Sequence, residues 1–286
     1  MRRPSAPFIA VALGLAVVGC SGPEGFWRDQ YVFLGDEGTV VPLGVLRWSD
    51  GHAEVKGWLG QQQRWQTSVH KRFAIVGRDA PSVERALMAL SSSTATPARV
   101  TLSAEPVATG SLRARIRTPS RDIELSADHL RLLGGSTDPE GPSTYRAGRG
   151  RLRMGTTEEA GWVVVESTPA ERPKGSFVDY GDYALIFAAD RDRGAFVLKR
   201  SLDVRGFDHA YFGDSGTARV RADVSRDRVR VRLADLGLDT SLSVADRATS
   251  GGVDPHGRAV RYETLLLRGD FSGVAFLIHR ESGGAT

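Results

Sequence analysis

An acidic and a basic side chain adjoin among aromatic residues near the chain's last third. Asp208 and His209 are followed closely by Tyr211 and Phe212, in the string Gly-Phe-Asp-His-Ala-Tyr-Phe-Gly. A carboxyl group and an imidazole in an apolar pocket can act as acid and base, because desolvation moves their pKa values. Asp208 and His209 are therefore candidate catalytic residues. The alternative is the end of a strand with an ordinary hydrogen-bonded histidine.

A serine in the next segment offers a second chemistry. The residues Gly213-Asp214-Ser215-Gly216 match the string around the nucleophile of chymotrypsin-like serine proteases, and His70 and Asp122 precede it in the matching order. Thr217-Ala218 then replaces the usual Gly-Pro, and a triad is recognised by geometry rather than by a tetrapeptide. The same residues also make an ordinary turn between strands. A serine hydrolase is the remote alternative.

Aromatic and arginine side chains supply the remaining candidates for binding. Trp48, Trp58 and Trp65 fall on three consecutive predicted strands, where they could line a ligand pocket together with Tyr211 and Phe212 or belong to the core. Arginine alternates with apolar residues in three further segments, which are Arg113–Arg115, Arg149–Arg153 and Arg228–Arg232. Such a face could bind phosphate or carboxylate groups, or be solvated. The spacing of the histidines indicates no metal site, and no cofactor-binding motif is present.

The first twenty residues indicate where the chain acts. Arg2 and Arg3 precede a short apolar run that ends in Val17-Val18-Gly19-Cys20. This segment resembles the signal peptide and lipobox of bacterial lipoproteins, which implies cleavage before Cys20 and attachment of lipid, including palmitate, to its thiol. The alternative is an ordinary secretory signal. Because no Asp follows Cys20, the resemblance implies the outer rather than the inner membrane.

Charge and composition exclude some functions. The formal net charge is +4, and cleavage would remove two arginines and no acid, so that about +2 remains. We therefore expect no binding of nucleic acid. With a single cysteine, the fold must depend on a packed core rather than on disulfides.

The periodicity of the body is that of an antiparallel all-β protein. Short segments rich in β-branched and aromatic residues are separated by turn clusters. The predicted strands are Tyr31–Leu34, Val40–Trp48, Ala53–Leu59, Trp65–Val76, Arg99–Ser103, Ser111–Thr118, Asp122–Leu125, Arg151–Met154, Trp162–Glu166, Asp182–Ala188, Ala195–Leu202, Arg219–Val224, Arg228–Leu233, Ser241–Val244, Arg261–Leu267 and Val274–His279. One short helix is expected over Pro81–Leu90. This pattern favours one or two barrels or a sandwich.

The chain can be divided into a signal peptide, a tether and two β-rich halves. These are residues 1–19, 20–25, 26–133 and 144–286, with a loop rich in Ser, Pro and Gly before the second half. The segments beginning at Asp29 and Gly181 have a similar strand–turn–strand pattern, which predicts two hairpins and a duplication. The run Trp162–Val165 could pack with either half.

The string from Asp208 to Gly213 is similar to a motif of a known group. The lipocalin-like carotenoid 1,2-hydratase and AttH proteins carry Asp-His-x-Trp-Gly, where this chain has Asp208-His209-Ala210-Tyr211-Phe212-Gly213. The resemblance implies a lipocalin-like fold in two halves, with Asp208 and His209 as acid/base residues.

The predicted cellular location and the predicted fold together indicate the function. We expect a cell-envelope lipoprotein, held at a membrane by Cys20, that binds a hydrophobic or amphipathic ligand or an envelope partner and is not an enzyme. The alternative is an acid/base enzyme of the hydratase or cyclase type acting on a lipid-like alkene.

Overall fold

Two antiparallel β-sheets make up the part of the protein that the structure describes. The computed structural model describes residues 25–48, 52–61, 63–74, 82–85, 90–91, 99–103, 110–117, 122–136, 143–167, 172–173, 183–201, 209–212, 220–253 and 259–280. The first sheet has 13 strands and the second has 8. An all-β fold of antiparallel strands, as predicted from the sequence, is thereby confirmed.

The first sheet is formed by strands from the earlier part of the chain. Its strands are β1 (Gly25–Gly35), β2 (Val40–Trp48), β3 (His52–Gln61), β4 (Arg64–Ala74), β5 (Ser82–Arg85), β6 (Leu90–Ser91), β7 (Arg99–Ser103), β8 (Leu112–Arg117), β9 (Asp122–Ala127), β10 (Arg131–Ser136), β11 (Ser143–Met154), β12 (Thr157–Ser167) and β13 (Arg172–Pro173). They are ordered β5-β7-β8-β9-β11-β12-β1-β2-β3-β4-β6, while β10 pairs with β11 and β13 with β1.

The second sheet is formed by the remaining strands, from the later part of the chain. Its strands are β14 (Tyr183–Asp190), β15 (Gly194–Ser201), β16 (His209–Phe212), β17 (Val220–Val224), β18 (Arg228–Leu233), β19 (Leu238–Val253), β20 (Ala259–Arg268) and β21 (Ser272–Arg280), in the order β16-β15-β14-β21-β20-β19-β18-β17. A 3₁₀ turn, Ala234–Leu236, joins β18 to β19. Within the ranges given above, no helix has the length and apolarity needed to cross a membrane.

Alternation of side chains divides the core into three clusters. Tyr31 and Phe33 of β1 pack on one face of the first sheet, in the first-sheet core, with partners such as Val163. Val32 and Leu34 point to the opposite face, because successive residues of a strand alternate. There they join an inter-sheet cluster, which also contains buried side chains of the second sheet. The remaining apolar side chains form the second-sheet core.

The second sheet curves around its own core as a half-barrel. Ala210 of β16 and Ala222 of β17, at the two ends of the strand order, belong to the same buried cluster. In β18 the valines and Leu233 are buried, and the three arginines between them are exposed. The predicted period of two in this strand is therefore confirmed.

Two hairpins meet in the inter-sheet cluster. The turn after β1 contains Gly38, with φ of 91°, and the turn after β14 leads into Gly194, the first residue of β15, with φ of 101°. A residue without Cβ adopts such angles most readily. The first turn is tied to β12, where the buried Glu159 carboxylate accepts hydrogen bonds from the backbone N–H groups of Glu37 (2.9 Å) and Thr39 (3.3 Å). The predicted hairpins are confirmed, while their duplication stays a prediction.

The expected helix over Pro81–Leu90 is wrong where the structure describes it. Ser82–Arg85 is a strand that pairs with β7, with Val83 opposite Leu102, and Leu90 begins β6. A neighbouring strand that offers ladder hydrogen bonds outweighs the weak helical spacing of a few apolar residues.

The sheets divide the chain later than the predicted loop at 134–143. Trp162–Val165, whose half the sequence leaves open, lies in β12 and pairs with β1 and β11. Strand pairing thus crosses the predicted boundary, and the division between sheets falls between Pro173 and Tyr183.

Candidate functional site

A buried carboxyl group lies at the inter-sheet face of the first sheet. Glu166 of β12 has no exposed surface, and it shares a face with Val164, a member of the inter-sheet cluster. Its register partner on β11 is Tyr145, whose hydroxyl donates a hydrogen bond to Glu166 Oε1 over 3.2 Å. Polar groups are costly to bury and need such partners.

Glu166 is flanked on its other side by a half-buried glutamine whose amide oxygen is buried. Gln30 of β1 is its register partner there. Among the residues that the structure describes, no hydrogen-bond donor reaches the buried Gln30 Oε1. A buried acceptor without a partner costs about 1–3 kcal/mol. This oxygen is therefore a place at which a bound hydroxyl would restore a missing hydrogen bond.

The second sheet contributes Tyr211 from its end strand, β16. The rings of Tyr145 and Tyr211 lie with centroids 5.2 Å apart and planes inclined at 33°. The Tyr211 hydroxyl donates to the carbonyl oxygen of Gly135 over 2.7 Å, and this contact joins β16 to β10. A Cβ on Gly134 would lie 2.1 Å from the Tyr211 ring, so the close approach requires glycine at that position.

A buried lysine lies beside Tyr211. Lys199 of β15 is 4% exposed, and it shares a face with Val197, which is the register partner of Tyr211. Lys199 is therefore diagonal to Tyr211 on that face. We call Gln30, Tyr145, Glu166, Lys199 and Tyr211 the seam site, because they come from both sheets where the sheets meet.

The seam site combines several kinds of polar group within apolar packing. A carboxyl group, two phenols, an ammonium group and an amide can each hydrogen-bond the polar end of a molecule whose apolar part packs beside them. A carboxyl group and a phenol in contact can also pass a proton. The arrangement can thus bind an amphipathic molecule or perform acid/base chemistry.

The residues predicted around His209 do not all share one face. Tyr211 belongs to the inter-sheet cluster, whereas Phe212 packs on the second-sheet core, 6.3 Å from the ring of Phe271. The backbone of His209 pairs with Lys199. The side chain of His209 and the whole of Asp208 lie outside the described residues, so their catalytic role stays a prediction.

Of the three predicted tryptophans, Trp65 is described in full. Its backbone N–H donates to Asp246 Oδ2 (2.7 Å) and its indole N–H to the carbonyl oxygen of Thr264 (3.2 Å), so it ties β4 to the second sheet. It packs against the inter-sheet cluster, as Tyr211 does. Trp48 and Trp58 lie in β2 and β3, and their side chains are outside the described residues.

The residues of the suggested serine hydrolase are only partly described. Gly213–Gly216 lies outside the described residues. His70 lies in β4 and Asp122 in β9, and the sheet order places β11, β12, β1, β2 and β3 between those strands. In the described ranges no three His, Cys, Asp or Glu side chains are grouped so that they could hold a metal ion.

Sequence reasoning missed Gln30, Tyr145, Glu166 and Lys199. The signal was the period of the strands, because Glu166 shares its face with Val164 and Lys199 shares its face with Val197. A charged residue at an apolar position of a strand is uncommon unless it is paired or functional.

The fold is that of a lipocalin-like all-β protein built from two antiparallel sheets. No family model matches the chain, and no curated protein matches it. Among solved structures, the chain is similar to a protein of Nitrosomonas europaea assigned as an AttH, at 13% identity and a TM-score of 0.51 over 90% of this chain and 92% of that one. It is also similar to kievitone hydratase from Nectria haematococca, at 9% identity and a TM-score of 0.46 over 90% of each chain. The first of these likenesses shows the fold alone.

Proposed function

We propose that this protein is a lipid-anchored cell-envelope protein that binds an amphipathic small molecule through a hydroxyl group at the seam site. The observation that carries the proposal is the buried amide oxygen of Gln30, next to the hydrogen-bonded Tyr145 and Glu166. A bound hydroxyl could donate to Gln30 and leave its alkyl part in the apolar inter-sheet cluster. The ligand is thus an amphipathic alcohol rather than a pure hydrocarbon.

The proposed anchor rests on the lipobox that ends at Cys20. Cys20→Ser removes the thiol that would carry the lipid. We expect this variant to lose both labelling by a palmitate analogue and recovery in the membrane fraction, while the wild type retains both. Floatation on outer- and inner-membrane density gradients identifies which membrane holds the wild type. Equal membrane recovery of wild type and variant would contradict the anchor.

The binding proposal predicts that Gln30→Leu weakens ligand binding without lowering the stability of the protein. Leucine removes the buried unpartnered oxygen, so the melting temperature is expected to stay constant or to rise. The same change is expected to weaken the binding of retinol, a fluorescent amphipathic alcohol, about tenfold, because one hydrogen bond is lost. Fluorescence titration measures the affinity, and thermal unfolding followed by circular dichroism measures stability.

Two matched comparisons make this experiment specific. Retinyl acetate lacks the hydroxyl, so Gln30→Leu should leave its affinity unchanged. Tyr145→Phe should weaken retinol binding, whereas Tyr31→Phe, which alters a buried tyrosine of the first-sheet core, should not. If the wild type binds neither probe, or if all the variants bind retinol equally, the seam site does not bind an amphipathic alcohol.

Acid/base catalysis is a second candidate, favoured by the contact of Tyr145 with Glu166 and by the backbone register that places His209 opposite the buried Lys199. Protonation of a lipid-like alkene followed by capture of water would give an alcohol, the same class of molecule that the seam site is proposed to bind. Incubation with lipid extract in heavy-oxygen water, read by mass spectrometry, separates the two functions. Labelled alcohol that Glu166→Gln abolishes supports an enzyme, and unlabelled bound lipid supports a carrier.

A further inference from the structure

Three arginines from two neighbouring strands surround a shallow depression on the outer face of the second sheet. Arg221 of β17 is the register partner of Arg232 on β18, and Arg230 lies opposite Asp223. All four side chains are exposed, and they line the depression. The apolar residues between them face the second-sheet core. We call Arg221, Arg230 and Arg232 the arginine triad.

Asp239 of β19 orients two members of the triad. Its carboxylate accepts hydrogen bonds from Nε and Nη2 of Arg230 (3.3 and 3.2 Å) and from Nε and Nη2 of Arg232 (2.9 and 2.6 Å). The hydrogen bonds from Arg230 and Arg232 hold the pKa of Asp239 below its ordinary value. Both guanidinium groups are thereby fixed on one carboxylate, and the Nη1 group of each has no partner among the described residues.

The third arginine brings like charges together. Arg221 is directly opposite Arg232, and within the described part of the chain no carboxylate pairs with Arg221. Like charges in a directly opposed cross-strand pair are destabilising. Asp223 partly offsets this charge and adds to the raised pKa of Arg230, for which the hydrogen bond to Asp239 is the main cause. Three guanidinium groups against two carboxylates leave an excess of positive charge.

We propose that the arginine triad binds a phosphate group. A phosphate presents several oxygens to donors that converge from different strands, and guanidinium groups bind such oxygens in a bidentate manner. Because Asp239 has already ordered Arg230 and Arg232, an anion needs to order Arg221 alone. The triad lies at the β17 end of the sheet order, whereas the seam site uses β15 and β16 at the other end. The proposal therefore stands independently of the function proposed for the seam site.

Binding of inorganic phosphate to the full-length chain tests the triad. Isothermal titration at low ionic strength should detect binding by the wild type, and Arg221→Ala should lower the affinity about tenfold, because it removes charge-assisted hydrogen bonds. Arg221 has no ion pair to lose in the described structure, so the melting temperature of the Arg221→Ala variant should not fall. Arg153→Ala is the matched control, since it removes an exposed arginine of the first sheet that pairs with Glu124. An undetectable affinity of the wild type, or equal losses in both variants, would overturn the proposal.

A second arm distinguishes free phosphate from the phosphate of a lipid headgroup. The full-length chain carrying Cys20→Ser, which has no anchoring thiol, is mixed with vesicles of phosphatidylcholine that contain phosphatidylglycerol. Cosedimentation that Arg221→Ala abolishes, that Arg153→Ala preserves and that inorganic phosphate competes away assigns the triad to lipid headgroups. Binding of phosphate without cosedimentation assigns it to a soluble phosphate. Cosedimentation that both variants reduce equally reflects net charge alone and overturns the proposal.

Discussion

Phe187→Ala is expected to destabilise the whole protein by about 3–5 kcal/mol, the range for removing a fully buried aromatic side chain. Phe187 lies on β14 in the inter-sheet cluster, where its ring meets Phe276 edge to face at 6.2 Å. The chain has 5 tryptophans, and all of them lie in strands of the first sheet. Because the inter-sheet cluster joins both sheets, a truncation in the second sheet should move the unfolding midpoint that tryptophan fluorescence records.

The measurement compares two probes of urea unfolding. Tryptophan fluorescence reports the first sheet together with the contact of Trp65 with the second sheet, and far-ultraviolet circular dichroism reports both sheets. We expect the two midpoints to coincide in the wild type and to shift together in Phe187→Ala. Leu132→Ala is the control, since Leu132 is 57% exposed and should change stability by less than about 0.5 kcal/mol. A fluorescence midpoint that Phe187→Ala leaves in place would mean that the sheets unfold independently.

Gly134→Ala is expected to cost about 1–3 kcal/mol, because a methyl group there overlaps the Tyr211 ring. An aromatic ring cannot bend away as a flexible side chain can, so β10 or β16 must shift. The shift would also lengthen the hydrogen bond from the Tyr211 hydroxyl to Gly135, which joins the two strands. Urea unfolding measures the loss.

A double-mutant cycle identifies the cause of that loss. In a Tyr211→Ala background the ring is absent, so the further change Gly134→Ala should cost less than about 0.5 kcal/mol. Gly135→Ala is a useful comparison, because its new Cβ would meet only the carbonyl oxygen of Ser143, at 3.1 Å. Strictly additive losses for Gly134→Ala and Tyr211→Ala would show that the two residues do not meet as described.

Strands with clear alternation could be predicted from the sequence. Val40–Trp48, Arg99–Ser103 and Arg228–Leu233 have the observed bounds. In the last of these, arginine and apolar residues alternate so regularly that the buried face can be assigned directly. The same period places Tyr211 and Phe212, which the sequence suggested for one pocket, on opposite faces of β16.

Strands whose residues depend on distant partners could not be predicted. Arg131–Ser136 contains two glycines, so its sequence is typical of a loop. It forms β10 because β11 provides hydrogen-bonding partners for its backbone and because Tyr211 packs over Gly134. Ser82–Arg85 becomes a strand for the same reason, through pairing with β7. Propensity within a short window contains no information about such partners.

The candidate site was only partly accessible to sequence analysis. The neighbourhood of His209 and Tyr211, where acidic, basic and aromatic residues adjoin, pointed to β16, the strand that contributes Tyr211 to the seam site. Tyr145 and Glu166 come from the other sheet, where they are hydrogen-bonded to each other, and the contact of Tyr145 with Tyr211 depends on how the sheets pack. Tertiary packing therefore assembled the seam site from residues that carry no shared motif.

The pairing of β1 with β12 has a consequence for the order of folding. Asp29 and Ser167 are register partners joined by a hydrogen bond of 2.5 Å, although 138 residues separate them in the chain. One edge of β1, with its buried run Tyr31–Leu34, thus stays open until Thr157–Ser167 has been synthesised. Long-range pairing of this kind slows folding to milliseconds or seconds, and an open apolar edge invites pairing with other chains. Until β12 arrives, the nascent chain is therefore most exposed to aggregation at its own first strand.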